Sequence, residues 1–272
     1  MPTTMVGLLH PGAMGEALGR AMQHAGARVV WAGEGRSPAT AARAAGAGFD
    51  DVGTVTEMRG SDLVVSICPP EFALEVARET AAVGFTGTYL DANAVAPATA
   101  AALDSVVRDA GATFVDGGVI GGPDAPRLFL SGATAAEVGR RFGGPVSVVV
   151  LDDPAYAASS LKMVYAGWTK GTTALLFALA ATAEALGVAD ALDAEWARSQ
   201  PALGPRLEGA GRSAAKAWRW SGEMREIGST LGAAGMPVQF HDGAAEVYER
   251  LSALKDEPGP TIDDVVRLLR RR

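Results

Sequence analysis

From residue 5 to about 150, short β-branched runs alternate with alanine-rich runs, and no other feature constrains the fold as strongly. The apolar runs are "MVGLL", "RVVWA", "LVVSIC", "TYLDA", "TFVDGG" and "VSVVVL". Between them lie "GEALGRAMQHAG", "SPATAARAAGAG", "EFALEVARETAAVG" and "PATAAALDSVVRDAG". Runs this continuous in apolar residues suit strands buried on both faces. Strands of that kind alternating with helices predict an α/β fold with a Rossmann-type, doubly wound parallel sheet. Gly26, Gly46, Gly84 and Gly111 close helical runs, where a left-handed residue is expected.

After about Asp153 the strands vanish. "AASSLKMVYAGWTKGTTALLFALAATAEALG" reads as one helix of roughly 45 Å at 1.5 Å per residue, with Asp153–Pro154 as its start signal and Gly187 as its stop. Further helices are expected around 190–198, 205–217, 221–235, 242–254 and 261–271. The expected organisation is a nucleotide-binding Rossmann domain over 1–152 and an all-α domain over 153–272, opening with the long connecting helix.

Charge and cysteine content narrow the partners. A net charge of −7 argues against nucleic acid or an anionic membrane. The basic "RLLRRR" reads as a solvated helix end. Cys68 is the single cysteine, so neither an intrachain disulfide nor a paired-cysteine zinc site is expected. His10, His24 and His241 show no metal-ligand spacing. "MPTTMVGLL" lacks the basic start of a signal peptide, and Glu184 interrupts the most apolar stretch, 174–188. A soluble, cytoplasmic protein is the expectation.

The first strand-to-helix turn carries "GLLHPGAMG", the context that a dinucleotide fingerprint requires. Gly12 would let the backbone approach a pyrophosphate, Gly15 would let the helix pack on the sheet, and Ala13 and Met14 would offer N–H groups at the helix start. His10–Pro11 replaces the usual first glycine with a rigid turn. Beyond the second strand, "GEGRSPAT" places Arg36 and Ser37, with Thr40, where they suit the 2′-phosphate of NADP; Glu34 points mildly towards NAD. "SICPPE" and "DANAVAP" end later strands, so Cys68, Pro69, Pro70 and Asn93 line the expected cofactor crevice, with Asn93 able to hydrogen-bond near the nicotinamide ribose. Pro69–Pro70 also fits a plain loop, and Cys68 reads as a small buried side chain rather than a nucleophile.

Together these pieces resemble the β-hydroxyacid dehydrogenase and 6-phosphogluconate dehydrogenase family. "GLLHPGAMG", "GRS", "DGGVIGGP" (116–123), "SSLKMVYAG" and "GEMREI" (222–227) follow its motif order over nearly the whole chain. "GWTKG", "AWRW" and "GMPVQFH" look like a branch with a 6-phosphogluconate-dehydrogenase-like helical C-terminal domain. The resemblance implies an NADP-dependent oxidoreductase acting on an alcohol/carbonyl pair, with Lys162 as general acid/base. It also implies a homodimer formed through the helical domain. An ammonium can protonate the alkoxide that hydride delivery leaves. Tyr165, Thr169 and Thr173 lie at helical spacing from Lys162 and form a polar stripe.

Two positions depart from the family pattern. Tyr165 and Ala166 stand where the substrate-orienting asparagine is usual, and Ile120 stands for the serine of the substrate loop. Val119, Ile120, Gly121 and Gly122 remain as the substrate loop, with backbone N–H groups at the two glycines. Trp168, Trp220, Met224 and His241 could line a larger, more apolar pocket, although each tryptophan also fits core packing. Arg225 stands where the family has a late lysine near the cofactor. Imine reduction, or an NADP-binding sensor without chemistry, are the alternative readings.

Overall fold

The computed structural model describes residues 3–152, 154–255 and 257–270. Asp153 of the expected helix start and the last two arginines of "RLLRRR" lie outside the described residues. The chain forms two compact units, Met1–Met163 and Val164–Arg272, which divide inside the long helix.

The first unit is built on an eight-stranded sheet. Its strands are β1 (Met5–Leu8), β2 (Arg28–Trp31), β3 (Asp50–Asp51), β4 (Leu63–Ser66), β5 (Thr88–Asp91), β6 (Thr113–Ile120), β7 (Arg127–Ser131) and β8 (Ser147–Leu151). They run in the order β3-β2-β1-β4-β5-β6-β7-β8. The neighbours from β3 to β6 are parallel, so the chain reverses its direction of travel across the sheet between β1 and β4. β7 turns back antiparallel to β6, and β8 pairs parallel to β7. The expected parallel sheet therefore has one antiparallel seam.

Helices α1 (Ala13–His24), α2 (Pro38–Gly46), α3 (Ala73–Ala82), α4 (Pro97–Asp109) and α5 (Ala135–Gly139) connect the strands. Successive strand residues feed opposite cores: Val6, Leu8, Leu63 and Val65 join one cluster, Val64 and Val30 the other. This is why the strand sequences are apolar without a break. The helix-closing glycines at 26, 84 and 111 have φ between 78° and 90°. Gly46 is a correction, because α2 ends on it and the left-handed residue is Gly48, at φ 71°.

Helix α6 (Ala157–Leu186) is the long helix, and Gly187 at φ 69° ends it. The rest of the second unit is α7 (Ala189–Ser199), α8 (Leu203–Ser213), α9 (Trp220–Ala233), α10 (Gln239–Arg250) and α11 (Ile262–Leu269). The helix expected to run to 217 stops at Ser213, and Ala214–Arg219 continues as a 3₁₀ turn. Phe177, Met224, Ile227, Tyr248 and Val265 are buried at the core of this unit. Among the described residues, no helix is long and apolar enough to cross a membrane.

Candidate functional site

In the first unit, the sequence-predicted residues gather at the carboxyl ends of the strands, where open α/β sheets hold ligands. β1 leads through His10 and Pro11 into α1, with Gly12 as its N-cap residue in extended backbone. A Cβ built on Gly12 would meet nothing within 4 Å, so the space in front of this helix start is open. A Cβ on Gly15 would lie 2.1 Å from the His10 carbonyl oxygen, which forces glycine there. The first N–H groups of the helix, including Ala13 and Met14, have no partner within it. An open, amide-lined helix start therefore follows β1, as a pyrophosphate requires.

The His10 imidazole is held neutral, its pKa pushed down to about 4 by burial first and by the Arg36 guanidinium second. Among the described residues, its Nδ1 is buried without a hydrogen-bond partner, and so is Nε of Arg36. Ser37 caps α2, accepting from the Thr40 N–H at 3.2 Å. Arg43 on α2, which the sequence reading did not single out, reaches back to the Pro11 carbonyl oxygen at 3.3 Å. A second cation therefore stands beside the glycine loop. Its only sequence signal was its place on the helix that follows Ser37.

Beyond β4, the Cys68 N–H donates to the Asn93 side-chain oxygen at 2.5 Å. The Asn93 amide donates in turn to Ser66 Oγ at 3.1 Å and to the Asp91 carboxylate. Asn93 is buried, and both of its amide hydrogens are engaged inside the protein. It thus ties the end of β5 to the turn that carries Cys68, Pro69 and Pro70, instead of offering those hydrogens to a ligand. Burial, and then the Asp91 charge, push the Cys68 thiol up to about 12, which leaves it inert as a nucleophile at neutral pH.

At the end of β6, Val119 and Ile120 lead into a turn in which Gly121 has φ 101°. Lys162, on the first turns of α6, donates from Nζ to the Val119 carbonyl oxygen at 2.8 Å. A Cβ on Gly118 would lie 2.6 Å from the Ala158 carbonyl oxygen and 3.0 Å from Lys162 Cβ. A Cβ on Gly117 would lie 2.7 Å from the Asp91 carbonyl oxygen. The "DGG" of the substrate loop is thus a close-packing device: one glycine admits β5 and the other admits α6.

The remaining predicted residues belong to the second unit. The two threonine hydroxyls of the stripe on α6 are satisfied within the helix: Thr169 donates to the Tyr165 carbonyl oxygen and Thr173 to that of Thr169. Trp168 is 65% exposed, with the Arg206 guanidinium 5.8 Å from its ring centroid. His241 is buried, with Nε2 3.5 Å from the Gly167 carbonyl oxygen, in a notch formed by Gly167 and Gly171. Trp220 packs edge-on against Tyr248, and Met224 is fully buried, so both serve the core. Arg225 pairs with Glu249 at the surface. Sequence reasoning missed the partly buried pair of Lys170 and Glu223, because its partners lie 53 residues apart.

Residues 183–251 match the family described as "Domain of unknown function (DUF1932)". An uncharacterized 28.5 kDa protein of Methanothermus fervidus is 30% identical over 138 residues, 50% of this chain. The match spans about half of that relative, 53% of its length. Among solved structures, the conserved protein MTH1747, described as structurally similar to 3-hydroxyacid dehydrogenases, is 26% identical. It has a TM-score of 0.64 over 92% of this chain and 97% of its own. A 3-hydroxyisobutyrate dehydrogenase of Salmonella typhimurium has a TM-score of 0.68 at 17% identity, over 97% of this chain and 99% of its own. Imine reductases and reductive aminases, some bound to NADPH or NADP+, share the fold as well. The chain thus has the architecture of the 3-hydroxyacid dehydrogenases, a Rossmann-type sheet followed by a helical region, within which residues 183–251 resemble the DUF1932 family.

Proposed function

We propose that the protein is an NADP-dependent oxidoreductase of the β-hydroxyacid dehydrogenase type. The observation that carries this reading is Lys162: its ammonium is fixed on the Val119 carbonyl oxygen, at the end of the strand that leads into Gly121 and Gly122. Lys162 is the general acid that protonates the oxygen of a reduced carbonyl, and the base for the reverse reaction. The nicotinamide, when bound, gives or takes the hydride. The residues at the strand ends fit the cofactor. Gly12, Ala13 and Met14 would hold the pyrophosphate, and Gly15 sets the helix close enough to do so. Arg36, Ser37 and Arg43 would hold the 2′-phosphate; the unpartnered buried Nε of Arg36 supports this. Asn93 keeps the Cys68–Pro70 turn in place beside the nicotinamide end.

Val119, Ile120, Gly121 and Gly122 would face the substrate. With Ile120 in place of a serine, the favoured substrates are less polar than a small hydroxy acid. The protein is proposed to be a homodimer. Val164, Trp168, Leu175, Leu179 and Leu186 form an exposed apolar stripe along α6, and a second copy of the chain would cover it.

The test offers NADPH with panels of aldehydes, keto acids and cyclic imines, with Lys162→Ala as control. Carbonyl turnover that is lost in the variant supports the proposal. Imine turnover that survives the substitution would favour imine reduction, and tight NADPH binding without turnover would favour a sensor.

A further inference from the structure

The first N–H groups of helix α6 find partners on the sheet. Tyr156, the residue before it, has φ 57° and offers no short side chain to the helix N–H groups. Its carbonyl oxygen accepts from the Ser160 N–H at 3.0 Å, so the helical ladder starts there. The two donors before Ser160 are satisfied from the sheet. The Ala158 N–H donates to Ser131 Oγ on β7 at 3.2 Å, and the Ser159 N–H donates to Asp116 Oδ2 on β6 at 3.0 Å. The Ser159 hydroxyl also donates to Asp116, and the Ser131 hydroxyl donates to Asp116 Oδ2 at 2.7 Å. Asp116, Ser131 and Ser159 are each 2% exposed or less. An acidic side chain at this end of a helix meets both its orphan donors and its dipole.

This cluster and Lys162 share one strand and one helix. Counting along β6, Asp116 grips Ser159, Gly118 admits Ala158 and the stem of Lys162, and Val119 takes the Lys162 ammonium. Ser159 and Lys162 are one turn apart on α6, and therefore neighbours on its surface. A slip of the helix along the strand would break all of these contacts together.

We propose that Asp116, through Ser159 and Ser131, is a positioning residue that sets α6 on β6 and so holds the Lys162 ammonium at Val119. The consequence for turnover rests on the acid/base role of Lys162 proposed above; the placement itself does not. The cluster acts as a cap built from two strands of the sheet. It carries no proton in the reaction and touches no substrate.

Two measurements test this on the full chain, in wild type, Asp116→Asn, Ser159→Ala and Ser131→Ala. The serine variants are the milder deletions, in case Asp116→Asn does not fold. The first is amine labelling of the four lysines, read peptide by peptide by mass spectrometry. Lys162 should label about threefold faster or more in the variants, while Lys216 and Lys255 keep their rates; general loosening would raise all of them together. The second is steady-state carbonyl reduction, where kcat should fall about tenfold at nearly unchanged NADPH affinity, as expected for a displaced acid. Folded variants in which Lys162 labels at the wild-type rate would overturn the proposal. A wild type that reduces no carbonyl would instead sink the functional reading, and the labelling would still decide the role of Asp116.

Discussion

Lys162 Nζ donates to the Val119 carbonyl oxygen at 2.8 Å, so the ammonium at the start of α6 is tied to the end of β6. Lys162→Ala removes the proposed acid without opening the core. Carbonyl reduction should fall by about 10²–10⁴ in kcat, while NADPH binding, followed by fluorescence titration, stays near the wild-type value. A variant that keeps its kcat would remove Lys162 from the chemistry.

The two glycines of the first loop should fail in different ways. Gly12→Val puts bulk where a Cβ meets nothing within 4 Å, so thermal stability should hold while NADPH binding is lost. Gly15→Ala drives a methyl towards the His10 carbonyl oxygen, 2.1 Å away, and should cost stability as an overpacked site does, roughly 1–3 kcal/mol. A thermal melt with and without NADPH separates the two. If Gly12→Val still binds NADPH, the loop has been misread.

Arg36→Ala should weaken NADPH binding about tenfold or more and leave NADH nearly unchanged, since a guanidinium is matched to the extra phosphate. Equal losses for both cofactors would mean that Arg36 does not read the 2′-phosphate. Ser37→Ala should cost about 1 kcal/mol of stability, because the same side chain caps α2.

His10 gives the fold a pH dependence. Its folded pKa of about 4 lies below the ordinary imidazole value of 6.5, so the unfolded chain binds the extra proton first. Stability from the neutral imidazole is complete above about pH 6.5 and is lost as pH falls towards 4, on the order of 3 kcal/mol at most. Urea unfolding between pH 7 and 4 should therefore be steeper in pH for wild type than for His10→Gln. Parallel curves would show that His10 is not what the pH acts on. His10→Gly should leave NADPH binding largely intact.

Sedimentation equilibrium should find a dimer. Leu175→Lys combined with Leu179→Lys, both on the exposed stripe of α6, should give a folded monomer. A wild type that is monomeric at micromolar concentration would leave that stripe without its proposed partner.

Local chemistry made much of this legible. The strands β1, β2, β4, β5 and β6 were readable because residues buried on both faces leave largely apolar runs, and β8 was readable from its valines although Val149 and Val150 are exposed. The extent of α6 was readable because alanine, leucine and a terminal glycine are helix signals that need no partner. β3 was not readable: it is the two-residue Asp50–Asp51, polar and exposed, and only pairing with β2 makes it a strand. "RLFLS" became β7 only by turning back on β6, a choice made by the glycine-rich turn at 121–122 and by long-range hydrogen bonds.

The site divides along the same line. Residue type and spacing were enough to nominate the glycine loop, and Arg36 and Ser37 beyond the second strand, since each rests on chemistry within a few neighbouring residues; Lys162 was nominated by the family resemblance. Tertiary structure alone decided that Asn93 spends its amide on Ser66 and Asp91, that Arg43 returns to Pro11, and that Asp116 caps a helix 43 residues away. A buried polar group takes whatever partner the fold brings to it, and sequence carries no local mark of a contact whose two halves meet only when the sheet and helix are assembled.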